Sequence, residues 1–226
     1  MAKKYEIEIK ALLGSEEKAS LLIKKLLEKD ANLRQIGSNN QLNHYFIGGK
    51  RNELQKNLKP FLSEDQEEEL REILTQAIEI SVRTRKADEI VLFVLKASVD
   101  DTTSSNGIAR REFEVNISSS LDELDKLLLD SGCQIQAKWS RERKEYELSD
   151  GIHLCVDKNA GYGYLVEFEC MIEDLDQTQE TKESLRRLMK DLGVEELSQE
   201  RLERMFAYYN THWKDYYGTE NVFVVE

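Results

Sequence analysis

Cysteine, histidine, proline and positive charge are all in short supply in this chain, and three of these deficits exclude something. Cys133, Cys155 and Cys170 are odd in number and lack metal-type spacing, so they read as buried free thiols rather than disulfide partners or a zinc site. His44, His153 and His212 are scattered, which argues against a histidine-ligated metal. No apolar run approaches the roughly 20 residues that span a bilayer. The N-terminus also lacks the apolar core of a signal peptide, so the expectation is a cytoplasmic protein with no membrane partner. Lysine and arginine number 32 against 44 aspartates and glutamates, a net charge of −12. Non-specific nucleic-acid binding draws its affinity from cations on phosphates, so no nucleic-acid partner is expected and any phosphate site must be local. The single proline, Pro60, falls in an atypical stretch, Gly48–Ala77, that also holds Gly48-Gly49 and the acidic run 64–69.

What remains is a globular composition, 40% hydrophobic in 226 residues, long enough to bury a substantial core. Alternation of period two predicts strands near 3–13, 41–47, 79–86, 89–97, 107–117, 133–147, 152–158 and 163–173. Apolar spacing of three and four predicts helices near 16–29, 52–58, 64–78, 121–130, 178–192 and 198–216. Strands at this density, joined mostly by short turns such as Lys86-Ala87-Asp88-Glu89, favour an antiparallel sheet or barrel over alternating parallel units. The segment 48–78 reads as an inserted helical hairpin, its acidic run as a solvated helix face. Asp100–Gly107 reads as a polar, flexible loop able to act as a lid, and no internal repeat is visible.

The charges on the strands repeat at the strand period. Glu6-Ile7-Glu8-Ile9-Lys10 puts two carboxylates and an ammonium on one face and two isoleucines on the other. Alone, that is an ordinary solvated strand face. The pattern recurs, however, as Arg83 and Arg85 about Thr84, Lys96 at the end of an apolar run, and Glu112 and Glu114 about Phe113. It continues with Arg141 and Arg143, Asp157, and Glu167 and Glu169 about Phe168. If these faces point inward around a closed sheet, the interior is a polar tunnel and the apolar outer faces need helical cover.

Clustered carboxylates suit a hard cation such as Mg²⁺ or Mn²⁺, and clustered guanidinium and ammonium groups suit phosphate oxygens. A linear triphosphate carries about −4, from roughly −1 per internal phosphate and −1.5 to −2 at the terminus. One or two divalent cations would offset that charge, so a metal–triphosphate ligand matches the mixed lining better than a bare anion does.

These residues, in this order, resemble the signature of the CYTH superfamily, the triphosphate tunnel metalloenzymes. Glu6-Ile-Glu8-Ile-Lys10 looks like its Glu-x-Glu-x-Lys motif. Arg83-Thr-Arg85, Lys96, Glu112-Phe-Glu114, Arg141-Glu-Arg143, Asp157 and Glu167-Phe-Glu169 follow as the family's later strands do. The resemblance implies an α+β fold: one domain over 1–226 built on an eight-stranded antiparallel β-barrel, the triphosphate tunnel, with amphipathic helices packed outside. The insertion near 48–78 and C-terminal helices near 178–217 would be additions to that core.

Carried over, Lys10, Arg83, Arg85, Lys96, Arg141 and Arg143 would hold phosphate oxygens. Glu6, Glu8, Glu112, Glu114, Asp157, Glu167 and Glu169 would hold one or two Mg²⁺ or Mn²⁺ ions or orient the bases. Lys10 and Lys96 are the catalytic candidates, for charge stabilisation or, if crowded positive charge lowers a lysine's pKa, for proton handling. Lys138 and Lys158 stand near the matched positions as extra candidates. Gly161 and Gly163 fit a tight hairpin rather than a dinucleotide loop. The tail from Arg201 to Tyr217, with Phe206, Tyr208, Tyr209, Trp213, Tyr216 and Tyr217, fits a helix on the barrel's apolar exterior better than a partner interface.

The activity implied is metal-dependent hydrolysis of tripolyphosphate or a nucleoside triphosphate. The resemblance also admits a class IV adenylate cyclase, a thiamine triphosphatase, a non-catalytic nucleotide- or polyphosphate-binding module, and a homodimer.

Overall fold

A computed structural model describes residues 4–98 and 109–225. The polar loop expected at 100–107 lies outside the described residues. In chain order the strands are β1 (Tyr5–Leu12), β2 (Arg34–Gly48), β3 (Glu79–Ala87), β4 (Ile90–Ser98), β5 (Ala109–Asn116), β6 (Cys133–Glu147), β7 (His153–Asn159) and β8 (Gly163–Ile172). The helices are α1 (Glu16–Lys29), α2 (Arg51–Leu58), α3 (Glu64–Gln76), α4 (Leu121–Asp130), α5 (Thr178–Leu192) and α6 (Gln199–His212). The strands close into an antiparallel barrel in the order β1-β5-β4-β3-β2-β6-β7-β8. Closure leaves the sheet no free edge.

The barrel is inverted relative to an ordinary protein core, with charge inside and apolar side chains outside. Ile7, Ile9, Val166, Phe168 and Leu154 point out and pack under α1 and α5 through Leu22, Leu26, Leu185 and Leu192. Val82, Phe93, Leu95, Phe113 and Val115 point out on the opposite wall and meet Leu54, Leu58, Leu70, Ile73, Leu124 and Leu128 of α2, α3 and α4. The inserted segment therefore supplies two of the three helices that cover this wall. Its acidic run opens α3 behind a Ser63–Gln66 capping box, where negative charge suits the helix dipole, and Leu70, Ile73 and Leu74 turn inward.

Two boundaries differ from the sequence reading. The second strand begins at Arg34 rather than 41, because the long β6 partner pairs with it down to Arg34 opposite Glu147. Gly37-Ser38-Asn39-Asn40 has no apolar alternation, so backbone pairing rather than pattern holds it in the sheet. The last helix stops at His212 and finishes in a short 3₁₀ turn at Trp213–Asp215.

The β7–β8 hairpin turns where Gly161 adopts φ +91°, and a Cβ there would lie 2.7 Å from the ring of Tyr209. The glycine lets α6 close against that turn.

Candidate active site

Strand parity decides what faces the lumen. On β1, Glu6, Glu8 and Lys10 alternate with outward Ile7 and Ile9, and the register puts Glu8 opposite Glu169 and Lys10 opposite Glu167 on β8. On the far wall Lys96 stands opposite Glu112, and across β6–β7 Arg143 stands opposite Asp157. The result is a cavity of about 620 Å³ lined by all seven acids and all six bases of the sequence reading.

The acids divide by what they touch. Lys96 lies among Glu6, Glu8 and Glu112, with Nζ 3.3 Å from carboxylate oxygens of both Glu8 and Glu112 and in direct contact with Glu6. Lys10 Nζ donates to Glu8 at 2.7 Å and lies 3.3 Å from Glu167. Asp157 is committed to guanidinium groups, accepting from Arg141 at 2.7 Å and from Arg143 through both oxygens at 2.7 Å. Arg143 also donates to Glu167 at 2.6 Å, and Arg85 to Glu114 at 2.9 Å. Asp157 and Glu114 thus hold bases in place.

Protonation follows from this arrangement. Burial alone would raise the Glu8 carboxyl, but the Lys10 and Lys96 ammoniums outweigh it and hold the group well below the usual carboxylate range. Glu167 is held down likewise, Lys10, Arg143 and Arg141 overcoming its burial. Glu169 moves the other way, pushed well up by burial and by the neighbouring charges of Glu167 and Glu6. Glu6 is also raised, burial and the nearby Glu8 and Glu112 prevailing over Lys96.

Neither lysine shows the lowered pKa that proton handling would need. Burial disfavours their charge, yet Glu8 and Glu167 raise the Lys10 pKa, and Glu8, Glu6 and Glu112 raise that of Lys96 well above normal. Both stay ammonium at neutral pH, which suits charge stabilisation and not proton handling.

The arginines of β3 are treated differently. Arg85 is destabilised as a cation by burial and by Arg141 and Arg83. Its Nε donates to the Asn43 side-chain oxygen at 2.9 Å, and Arg141 Nε donates to Gln41 at 2.8 Å. Neutral amides of β2 therefore orient two guanidiniums without cancelling their charge. Arg83 donates to the Tyr45 hydroxyl at 3.1 Å and lies over that ring at 4.8 Å. Among the described residues it has no carboxylate within ion-pair distance, and its buried Nε–H has no partner.

Several residues fall outside the sequence reading. Arg110 lines the cavity 3.4 Å from Glu8; its even-numbered place on the face of Glu112 and Glu114 was the available signal. Asn39, Gln41, Asn43 and Tyr45 face inward from β2, but uncharged side chains carry no sign to follow. Lys138 and Lys158 do not line the cavity: Lys138 lies 3.5 Å from Asp125, and Lys158 pairs with Glu142 at 3.3 Å and Glu220 at 2.5 Å. Both sit at the parity opposite to Arg141 and Asp157.

The C-terminal helix also departs from expectation. Leu202, Met205 and Tyr209 of α6 pack on Trp139, Ala137 and Leu165, which share the inward parity of their strands. The helix thus seals one end of the lumen, with Phe206 and Asn210 among the cavity walls. The thiols are free, Cys133 and Cys155 buried and Cys170 half-buried.

For a metal, the donor chemistry fits. One oxygen each from Glu6, Glu8 and Glu169 lie within 4.8 Å of one another, an all-oxygen set suited to a hard divalent cation. The Glu6 and Glu169 carboxyls are raised first by burial and then by neighbouring carboxylates, and a bound cation would offset both effects. Cys155, Glu167 and Glu169 form a second group of three at the same spacing.

Comparison with known proteins agrees with this geometry. The CYTH domain family matches residues 65–202, more than half of the chain. A protein from Pyrococcus horikoshii superposes with a TM-score of 0.60 at 20% identity, over 88% of this chain and 99% of that one. A conserved hypothetical protein from Pyrococcus furiosus gives 0.59 at 20% identity, over 84% and 91%. A protein from Vibrio parahaemolyticus described as a candidate adenylate cyclase gives 0.59 at 16% identity, over 90% and 98%. These likenesses establish the shared fold. Among curated proteins, none matches the sequence.

Proposed function

The chain belongs to the CYTH domain family, and on that premise we propose that it is a divalent-metal-dependent hydrolase of triphosphates, with tripolyphosphate or a nucleoside triphosphate as substrate. The observation that carries the reading is the lumen itself. It combines three converging carboxylates with five arginines, one of which, Arg83, has no carboxylate within ion-pair distance among the described residues.

Arg83, Arg85, Arg141 and Arg143 would grip the phosphate oxygens, Arg83 being open to an incoming anion without the loss of an ion pair. Asp157, Glu114, Gln41 and Asn43 hold those guanidiniums in orientation. Glu6, Glu8 and Glu169 would hold Mg²⁺ or Mn²⁺, which when bound would polarise phosphoryl oxygens and offset their charge. Lys10 and Lys96 keep their Nζ protons and so stabilise negative charge that accumulates as the terminal P–O bond breaks and water adds to phosphorus.

The test is a phosphate-release screen with tripolyphosphate, nucleoside triphosphates and thiamine triphosphate, under Mg²⁺ and Mn²⁺, with cyclic AMP measured in parallel. Release should require metal and fall by about 10²-fold in Glu6→Gln and in Arg85→Ala. Full metal-dependent release in either variant would refute the assignment. Cyclic AMP and pyrophosphate from ATP, in place of ADP and phosphate, would identify a cyclase instead.

A further inference from the structure

One buried carboxylate lies outside the lumen and takes no part in the chemistry above. Asp125 of α4 is 6% exposed, and its two oxygens are divided between two strands. The Thr84 hydroxyl donates to Oδ1 at 2.6 Å, and His44 Nδ1 lies 2.6 Å from Oδ2. Lys138 on β6 adds an ammonium 3.5 Å from Oδ2. The register makes this a single level of the wall: His44 is opposite Thr84 on one side and opposite Lys138 on the other. A helical side chain therefore ties three adjacent strands together from outside.

The lumen side of the same level holds the anion-facing groups. Thr84 stands between Arg83 and Arg85, and His44 between Asn43 and Tyr45. Across the sheet the outward pair His44–Thr84 and the inward pairs Asn43–Arg85 and Tyr45–Arg83 are neighbours in one ladder. A slip of β3 against β2 would break the Arg85–Asn43 bond and part Arg83 from Tyr45 together. Thr84 and His44 are 0% and 2% exposed, so no water competes for these bonds and the tie is rigid.

We propose that Asp125 is a positioning residue: acting through Thr84 and His44, it holds Arg83 and Arg85 in register with Tyr45 and Asn43 for binding the triphosphate. This rests on the triphosphate reading of the lumen. Because the carboxylate touches no substrate, its loss falls on the grip of the ground-state anion. A misplacement of about 1 Å at such a site can cost up to about 10²-fold.

The experiment compares tripolyphosphate kinetics of the wild type, Asp125→Ala, Asp125→Asn, Thr84→Val and Leu128→Ala. Leu128 is fully buried on the same helix but in the apolar layer, so its truncation weakens α4 without touching the tie. Asp125→Ala should raise KM about tenfold or more with kcat little changed. Thr84→Val, which removes one of the two short bonds, should give a smaller rise. Asp125→Asn, which can still bond both Thr84 and His44, should restore most of the affinity even if Asp125→Ala folds poorly. Leu128→Ala should lower thermal stability and leave KM unchanged. If KM follows thermal stability across the whole set, Asp125 is merely structural and the proposal fails. A wild-type protein that neither binds nor cleaves tripolyphosphate would overturn the lumen reading and this proposal together.

Discussion

Glu8 and Glu169 face each other across β1 and β8, yet their surroundings drive them in opposite directions. Glu169 is pushed up by burial and by Glu167 and Glu6, so it binds a proton more tightly in the folded protein than in the unfolded chain. Its ionised form therefore costs stability above that raised pKa, and the cost disappears as pH falls through it. Glu169→Gln should raise the unfolding midpoint at pH 8 in EDTA, by about 2–4 °C for each kcal/mol of relieved repulsion. That gain should vanish at acid pH, and the variant should lose the stabilisation given by Mg²⁺ together with tripolyphosphate. Glu8 has the reverse sign, because Lys10 and Lys96 overcome its burial and depress its pKa. Its contribution is present above the ordinary carboxylate range and lost as pH falls through the folded value. Glu8→Gln should cost up to about 3 kcal/mol in urea unfolding at pH 8, since Lys10 and Lys96 lose the carboxylate they share and keep only Glu167, Glu6 and Glu112 as partners. At this scale the charged half of the site was legible, because period two puts Glu6 with Glu8 and Arg83 with Arg85 on one face whatever the fold. The amides of β2 and the Asp125 tie were not. Their importance comes from which strand lies next to which, and nothing local in Asn43 or Asp125 announces it.

Helices and strands were legible in proportion to their apolar periodicity. Helix α4 sits at 121–130 as expected because Leu124 and Leu128 mark its buried face and a Ser120–Glu123 capping box starts it. The first half of β2 was not legible, since its polar residues are held in the sheet by pairing with β6. The aromatic tail was read as a helix, correctly, but its seat was misjudged: outward apolar faces were expected to attract it, whereas Trp139 and Leu165 offer an apolar ring at the end of the lumen. Tyr209 is the centre of that closure, stacked on Trp139 at 3.6 Å between ring centroids and donating its hydroxyl to the Lys138 carbonyl at 2.9 Å. Tyr209→Ala should destabilise the protein by about 3–5 kcal/mol in urea unfolding and unseal that end of the cavity. Unchanged stability would mean that α6 is not anchored where it lies.

The whole molecule places a densely charged lumen inside an apolar layer, under a surface whose formal net charge contributes to −12 overall. Such an interior is costly unless its charges are paired, and the ion pairs of Lys10, Lys96 and Arg143 meet that requirement in the lumen. A ligand bearing both signs, a polyanion with its cations, can exchange into this network without leaving charge stranded. The most direct check of that claim is the unfolding midpoint of wild type and Arg83→Ala with Mg²⁺, tripolyphosphate, both or neither. At ligand 100-fold above its dissociation constant, mass action predicts about 2.7 kcal/mol of stabilisation, or roughly 5–11 °C. This rise should need metal and tripolyphosphate together and be lost in Arg83→Ala. An equal rise in the variant, or with orthophosphate in place of tripolyphosphate, would contradict it.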